Sequence, residues 1–173
     1  MKINLSITII FIFVIVFLSI FWLGLKQENN YDTKNLTGTK ISKFELPSIY
    51  LNDLISNESL KENQFTLINF FASWCAPCKL EHKYLVKLAN QGKNMKILGI
   101  NFKDKKNNAL NFLNELGNPY SLVDEDKTGK ASIMFGTYGI PESILVNKDL
   151  IIIKKVIGPI DQIQFEEILK LIQ

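Results

Sequence analysis

The sequence contains no arginine, a single histidine and only two cysteines. All 20 basic residues are therefore lysines, which are dispersed along the chain, and the formal net charge is only +3. Because bidentate recognition of phosphate and guanine favours arginine, we exclude a nucleic-acid partner. With so few cysteine and histidine side chains, the sequence also lacks the ligands of a typical zinc centre, and we expect neither a metal nor a cofactor.

Charge is also missing from the first part of the chain, where the run from Ile3 to Leu25 is uncharged and mostly Ile, Phe, Leu and Val. A membrane-spanning helix needs about 20 such residues. The run exceeds the roughly 7–15 apolar residues of a signal peptide, and no small-residue cleavage site ends it. We therefore expect an uncleaved anchor; the alternative is a long signal peptide. The short N-terminal flank favours a cytoplasmic N-terminus and an exported remainder in an oxidising compartment.

The 173 residues allow one domain with an appendage, and composition divides them into three parts. Residues 1–25 are the predicted transmembrane anchor, residues 26–42 are a polar linker, and residues 43–173 are a folded domain. The linker prediction depends on its many Asn, Thr, Gln and charged residues, which are typical of a spacer.

Within the folded domain, apolar patterning predicts alternating strands and helices. The predicted strands are 65–71, 95–102, 143–146 and 151–156, with an extended segment at 44–47. The predicted helices are 77–90, ended by Gly92; one that is capped by Asp104 and stops at Gly117; and one that is capped by Asp161. Parallel strands followed by an antiparallel hairpin and a terminal helix predict an α/β thioredoxin-like fold, with a central mixed sheet flanked by helices.

Both cysteines lie in the segment Trp74-Cys75-Ala76-Pro77-Cys78, between a predicted strand and a predicted helix. A thiolate at a helix N-terminus is stabilised by unpaired N–H groups and the helix dipole. We therefore expect Cys75 to be the nucleophile and the more buried Cys78 to resolve the mixed disulfide. Pro77 fits the first helical turn, where its missing N–H costs nothing. The alternative is an inert or metal-binding pair.

Two carboxylates and one proline are further candidates for the site. Glu81 lies one helical turn after Cys78, and Glu142 follows Pro141. A carboxylate near the dithiol would tune proton transfer and thiol pKa values; the alternative for both is a solvated surface charge. Pro141 is either a strand-edge proline or a cis proline against the dithiol.

Two other polar features receive structural interpretations. His82 lies four residues after Cys78, but with no further ligands we expect a partly exposed histidine that binds no metal. The segment 124–129 resembles part of a calcium loop, but its twelfth position, Phe135, is not Glu. We expect a turn there, leading into a short helix capped by Thr128.

Four segments together resemble one family. Residues 74–82 resemble the active-site stretch of membrane-anchored bacterial thioredoxin-like reductases, and the segments 99–104, 115–120 and 136–143 narrow the resemblance. The combination is similar to the DsbE/CcmG thiol:disulfide interchange proteins of cytochrome c maturation. It covers roughly residues 40–160 and the anchor. Ile140, where the family often has a smaller residue, and Ser143, where Thr is common, are mild departures.

The resemblance implies a site and a reaction. Pro141 would be a cis proline facing Cys75, and Glu81 and Glu142 would be acidic residues of an active-site groove that also includes Trp74 and Pro77. The protein would be a single-pass protein of the bacterial inner membrane, with its soluble domain in the periplasm. It would reduce a disulfide of apocytochrome c, or of another maturation component, with electrons from a DsbD- or CcdA-type membrane protein.

Other functions remain open on the sequence. The same fold supports a general periplasmic thiol-disulfide oxidoreductase or an oxidase, and reduction potential separates these from a specialised reductase. A binding module is a third possibility, either as an apocytochrome holdase or as a copper carrier that uses Cys75, Cys78 and His82.

Overall fold

The computed structural model describes residues 5–25, 36–50 and 53–173, which belong to two separate units. The first contains helix α1 (Leu5–Leu25), whose described large apolar side chains are exposed. Its stretch Ser6–Leu23 is long and apolar enough to cross a membrane. At 1.5 Å per residue, a helix of this length extends about 30 Å, the thickness of the hydrocarbon core. A signal sequence has the same character, so the uncleaved anchor stays a prediction.

The second unit is built on a five-stranded sheet with the order β5-β4-β3-β6-β7. Strands β3, β4 and β5 are parallel, whereas β6 and β7 are antiparallel to their neighbours. A separate antiparallel pair, β1-β2, precedes them. The bounds of the strands and helices in chain order are β1 Glu45–Pro47, β2 Leu54–Ser56, α2 Asn57–Leu60, β3 Phe65–Phe71, α3 Ala76–Gln91, β4 Met95–Phe102, α4 Lys106–Leu116, β5 Leu122–Asp126, α5 Lys130–Met134, β6 Glu142–Asn147, β7 Ile152–Ile157 and α6 Gln162–Leu171.

The sheet separates two apolar clusters because successive side chains of a strand point to opposite faces. In β3, Leu67 and Phe71 join a cluster with side chains of α3, α4 and α6. Ile68 and Phe70 join the other cluster, which contains side chains from the N-terminal segment, α2 and α5. Both faces of β3 are therefore covered, which explains its nearly continuous apolar sequence. The thioredoxin-like mixed sheet predicted from the sequence is confirmed.

Most predicted elements agree with the structure within one or two residues. Strand β4 has the predicted bounds, Gly92 is the C-cap of α3, and Asp161 caps α6 by accepting hydrogen bonds from two backbone N–H groups. Of the predicted linker, residues 26–35 lie outside the described residues. The part from residue 36 contacts the last hairpin, since Ile41 N–H donates to Leu150 O and Ile41 is buried.

Three local predictions are wrong. The acidic segment Asp124-Glu125-Asp126 belongs to strand β5 and is not a turn, because its backbone pairs with β4. The short helix α5 has Gly129, in the left-handed region at φ 80°, as its N-cap instead of Thr128. The N-cap of α4 is Lys105 instead of Asp104, whose carboxylate contacts the loop before the dithiol. Strand β2 and helix α2 were not predicted from the sequence.

Candidate active site

The dithiol lies at the start of α3, directly after the carboxyl end of β3. Cys75 is the N-cap of the helix, and its Sγ accepts a hydrogen bond from the N–H of Cys78 at 3.2 Å. The two residues are joined by a disulfide and are nearly buried, with 4% of Cys75 and 1% of Cys78 exposed. Pro77 occupies the first turn of the helix. The helix N-terminus therefore stabilises a thiolate on Cys75 once the disulfide is reduced.

The loop before the dithiol is fixed to the end of β4. Asp104 accepts hydrogen bonds from the N–H groups of Ser73 and Lys105, both at 2.7 Å, and from the Asn101 amide at 3.2 Å. Burial by itself raises the pKa of Asp104, but these hydrogen bonds outweigh it and lower the pKa below its usual value. Trp74 is 59% exposed, and its indole N–H donates to Lys103 O at 3.3 Å. This role of Asp104 was not predicted from the sequence.

Glu81 is completely buried, so the alternative of a solvated surface charge is wrong for this residue. One carboxylate oxygen accepts a hydrogen bond from the side-chain amide of Asn69, and the other accepts one from the N–H of Ile160, each at 2.8 Å. Burial is the larger effect and raises the pKa of Glu81 to about 7, although both hydrogen bonds act to lower it. A carboxyl group with this pKa can exchange a proton near neutral pH.

Asn69 connects Glu81 with two other buried side chains. Its amide nitrogen also donates to Ser143 Oγ at 3.0 Å, and its oxygen accepts a hydrogen bond from the Tyr120 hydroxyl at 2.7 Å. Burial, with the nearby charge of Glu81, raises the pKa of Tyr120 well above its usual value, so the hydroxyl keeps its proton. Asn69 is the one polar side chain apart from Thr66 within an apolar strand, which is the sequence signal that could have identified it.

The Tyr120 ring fits against β4 because position 99 is a glycine. A Cβ atom at Gly99 would lie 2.9 Å from Cγ of Tyr120 and 3.0 Å from Cε1 of Phe71. These contacts are shorter than real Cβ atoms tolerate, and the two rings stack at a centroid distance of 4.8 Å. The glycine therefore permits the close approach that brings the Tyr120 hydroxyl to Asn69.

Glu142 is also buried, but in an ion pair. Its carboxylate lies 3.0 Å from Nζ of Lys155, and both side chains are 1% exposed. The other carboxylate oxygen accepts hydrogen bonds from the N–H groups of Tyr138 and Gly139 at 2.7 and 3.1 Å. Lys155 Nζ also donates to Gly136 O at 2.5 Å. The pair therefore holds the segment that leads to Pro141, and the surface-charge alternative is wrong here too.

The Ile140–Pro141 peptide bond is cis, as the resemblance implied. Glu142, the next residue, pairs with Phe70 in β3, one residue before the end of that strand. Pro141 therefore lies at the same edge of the sheet as the loop that leads to Cys75.

His82 is buried, so the prediction of a partly exposed histidine is wrong. Its Nε2–H donates to Gly117 O at 2.7 Å, and its ring meets that of Phe112 edge-on at a centroid distance of 5.0 Å. Burial lowers the pKa of His82, which favours the neutral ring. Within the described ranges, no group of three or more His, Cys, Asp or Glu side chains is arranged to hold a metal ion.

Comparisons with known proteins agree with this geometry. The Redoxin family model matches residues 36–172. Thiol:disulfide interchange protein DsbE of Pseudomonas aeruginosa is 37% identical over 153 residues, which span 88% of this chain and 82% of that protein. Thiol:disulfide interchange protein CycY of Rhizobium leguminosarum is 50% identical over 106 residues, 61% of this chain and 56% of that protein.

Solved structures show the same fold. A protein of Neisseria meningitidis described as a thioredoxin is 27% identical, has a TM-score of 0.66, and is aligned over 77% of this chain and 89% of its own. A protein of Chlorobium tepidum described as DsbE has a TM-score of 0.67 at 21% identity, over 78% and 93% of the two chains, which supports the fold alone. The chain therefore belongs to the Redoxin family, as a thiol:disulfide interchange protein of the DsbE/CcmG type with a thioredoxin-like fold.

Proposed function

We propose that this chain is a membrane-anchored periplasmic reductase that acts in cytochrome c maturation. Its substrate would be the disulfide of apocytochrome c, or of a maturation component that handles it. Membership of the DsbE/CcmG type supports the pathway. The apolar helix Leu5–Leu25 supports the anchor and a single-pass location in the bacterial inner membrane.

The observation that carries this proposal is a cysteine pair at a helix N-terminus with a buried, titratable carboxyl group one turn further along. Cys75 caps α3, and Glu81 follows Cys78 on the same helix with its pKa raised by burial to about 7. The helix N-terminus favours the attacking thiolate, and the carboxylate supplies a proton acceptor in a site that excludes water.

The reaction transfers two electrons from the protein to its substrate. The Cys75 thiolate attacks one sulfur of the substrate disulfide, so that a mixed disulfide forms and the other substrate sulfur leaves as a thiolate, which then takes a proton. Cys78 gives its proton to Glu81 and attacks Cys75 Sγ. This step forms the Cys75–Cys78 disulfide and releases the second substrate thiolate. A dithiol of a DsbD- or CcdA-type membrane protein would then reduce the disulfide again.

Other residues would form the groove that receives the substrate. Trp74 and Pro77 are exposed on either side of Cys75, and cis-Pro141 lies at the same sheet edge. Glu81 and Glu142 would be the acidic side chains of this groove. Since Glu142 is held in the pair with Lys155, we propose that it acts by fixing the Pro141 segment.

Trapping in cells tests the proposal. A Cys78→Ala variant retains the attacking cysteine but cannot resolve the mixed disulfide, so it should accumulate covalent complexes with apocytochrome c or a maturation component. A Cys75→Ser/Cys78→Ala variant is the matched control and should trap nothing. A broad set of secreted proteins would instead indicate a general oxidoreductase.

The reduction potential tests the direction of electron flow. Thiol–disulfide proteins of this fold range from about −270 to −120 mV, and a reductase should lie towards the reducing end. Equilibration of the full chain with glutathione buffers measures this value. A potential near the oxidising end would contradict the reductase role and favour an oxidase.

A further inference from the structure

We propose that Tyr120 is a positioning residue for the reaction, because its hydroxyl holds the Asn69 amide in the orientation that donates a hydrogen bond to Glu81. Tyr120 would thereby favour the ionised form of Glu81, which accepts the proton of Cys78. This inference rests on the proposed role of Glu81 as that acceptor. Beyond that role, we infer that Tyr120 acts on the Glu81 carboxylate through the Asn69 amide.

The amide of Asn69 has two chemically different ends, and the contacts fix which end faces Glu81. Its oxygen lies 2.7 Å from the Tyr120 hydroxyl, whereas its nitrogen lies 2.8 Å from Glu81 Oε1. A protonated phenol donates to the amide oxygen, which leaves the NH₂ group to donate to the carboxylate. Burial keeps the Tyr120 hydroxyl protonated, because it raises the pKa of that group well above its usual value.

The opposite orientation of the amide would reverse its effect on Glu81. If the Asn69 oxygen faced the carboxyl group, two acceptors would meet unless Glu81 carried a proton. That arrangement stabilises the protonated acid, which cannot accept a proton from Cys78. Removing the Tyr120 hydroxyl removes the donor that selects the observed orientation. The effect on the thiol therefore passes through Asn69 and Glu81.

The other groups around Glu81 come from several elements. The N–H of Ile160, in the segment before α6, donates to the second carboxylate oxygen at 2.8 Å. Next to it, Asp161 directs its carboxylate to the N–H groups of α6 itself. On helix α3, Cys78 lies one turn before Glu81, and the adjacent His82 donates to Gly117. The Tyr120 hydroxyl is close enough for the charge of Glu81 to raise its pKa, in addition to the larger effect of burial.

A Tyr120→Phe variant removes the hydroxyl and keeps the aromatic ring. The ring stacks on Phe71 at 4.8 Å and packs over Gly99, and phenylalanine keeps both contacts. Tyr84→Phe is the matched control, because the Tyr84 ring packs against Phe165 on another part of the same cluster. Ser143→Ala tests a weaker prediction: Ser143 only accepts from the amide, so its removal should leave the orientation of Asn69 unchanged.

Two measurements on the reduced full chain in detergent test the coupling. Carboxyl ¹³C NMR follows the titration of Glu81, and we expect Tyr120→Phe to raise its midpoint by about one pH unit. Stopped-flow reaction with Ellman's reagent separates the two chemical steps, since Cys75 releases the first thiolate and Cys78 the second. At pH 7 we expect the second release to slow about three- to tenfold and the first to stay unchanged. At high pH, where Glu81 is ionised in both proteins, the second release should be equally fast in Tyr120→Phe and in the unmodified chain.

A double-mutant comparison keeps the inference falsifiable if one variant is destabilised. Asn69→Leu has a similar size and removes the donor to Glu81, so it should also raise the Glu81 midpoint. In that background Tyr120→Phe should have no further effect, because its route to Glu81 is already absent. If Tyr120 had only a structural role, the shifts of the Glu81 midpoint caused by Tyr120→Phe and Asn69→Leu would instead be independent and would add in the double variant.

The outcomes separate this inference from the proposed function. If Tyr120→Phe leaves both the Glu81 midpoint and the second release unchanged, while Glu81→Gln slows that release, the inference is wrong and the role of Glu81 stands. If Glu81→Gln leaves the second release unchanged, Glu81 is not the proton acceptor and the mechanistic part of the inference fails. A raised midpoint in Tyr120→Phe together with a selectively slower second release supports it.

Discussion

Glu81 and Glu142 are both buried next to strand β3, but their surroundings differ. Glu142 lies 3.0 Å from the ammonium group of Lys155 and accepts hydrogen bonds from two backbone N–H groups. Glu81 accepts one hydrogen bond from an amide side chain and one from the backbone, and within the described part of the chain it forms no ion pair. Burial raises its pKa to about 7.

The difference shows how one sheet edge can contain both an ion-paired carboxylate and a titratable acid. A buried carboxylate that is paired with a cation holds the structure around it, here the segment before cis-Pro141. A buried carboxyl group that has only neutral donors is poised between its two protonation states. The presence of Lys155, rather than burial, therefore separates a structural glutamate from a candidate proton acceptor.

Removal of the Lys155 ammonium group should lower stability more than any other change that distinguishes the two glutamates. Lys155→Met leaves Glu142 buried without its partner, and we expect the free energy of unfolding to fall by about 3–5 kcal/mol. Lys154→Met is the matched control, since Lys154 pairs with Glu167 at the surface and should cost less than about 1 kcal/mol. Urea titration measures both variants. Equal losses of unfolding free energy in the two variants would show that the buried ion pair contributes no more to stability than the surface pair.

Asp124 extends the comparison to a buried acid whose two carboxyl oxygens have no hydrogen-bond partner among the described residues. Burial raises its pKa to about 8, so the folded state binds the proton more tightly than the unfolded state. Stability should therefore decrease as pH rises from about 4 to about 8, by about 2–3 kcal/mol between pH 6 and pH 8. Asp124→Asn should remove this part of the pH dependence and leave only the smaller decrease caused by Glu81, whereas Asp149→Asn, at an exposed turn, should retain both; urea titrations at both pH values measure the difference.

The same argument applies to Glu81 at lower pH. Its pKa is raised from 4.5 to about 7, so it should contribute a loss of about 2 kcal/mol between pH 5 and pH 7. Glu81→Gln, measured by urea titration in the Asp124→Asn background, should abolish this pH dependence. The slope is the relevant quantity, because glutamine also changes the hydrogen bonds with Asn69 and Ile160. A slope that persists would mean that Glu81 is not the group that titrates in this range.

The smallest expected effect concerns the backbone donor to Glu81. Asp161 caps α6 and follows Ile160, whose N–H reaches the carboxylate. Asp161→Ala should cost about 1 kcal/mol of stability and raise the Glu81 midpoint slightly, since Ile160 is then less firmly placed. Urea titration and carboxyl NMR check the two effects, and Asp161→Asn should restore most of the stability. An unchanged stability would mean that the cap does not hold this segment.

The elements that carry the dithiol were predictable because their signals are local. Strand β3 has the predicted bounds, since a strand covered on both faces is a nearly continuous apolar run. Pro77 and Gly92 mark the start and end of α3 for conformational reasons that do not depend on the rest of the fold. Strand β5 was missed because Asp124, Glu125 and Asp126 carry no apolar alternation, and their pairing with β4 is not visible in the sequence.

The surroundings of the candidate site depend on contacts between distant residues. Glu81 and His82 are neighbours on α3, and the sequence left the first undecided and placed the second at the surface. Their partners Asn69, Ile160 and Gly117 lie 12, 79 and 35 positions away, so no local pattern reveals them. The residues themselves marked Pro141 and both glutamates as candidates, and the resemblance implied their roles, but neither pointed to Lys155 or to the amide that connects Glu81 to Tyr120.

The exposed indole of Trp74 has an experimental consequence. The chain contains two tryptophans, of which Trp22 lies in α1 and Trp74 precedes Cys75. A Trp22→Phe variant of the full chain therefore carries a single tryptophan, adjacent to the redox-active sulfur atoms. Because disulfides quench indole emission at short range, its fluorescence provides an optical record of each turnover without a label or a coloured substrate.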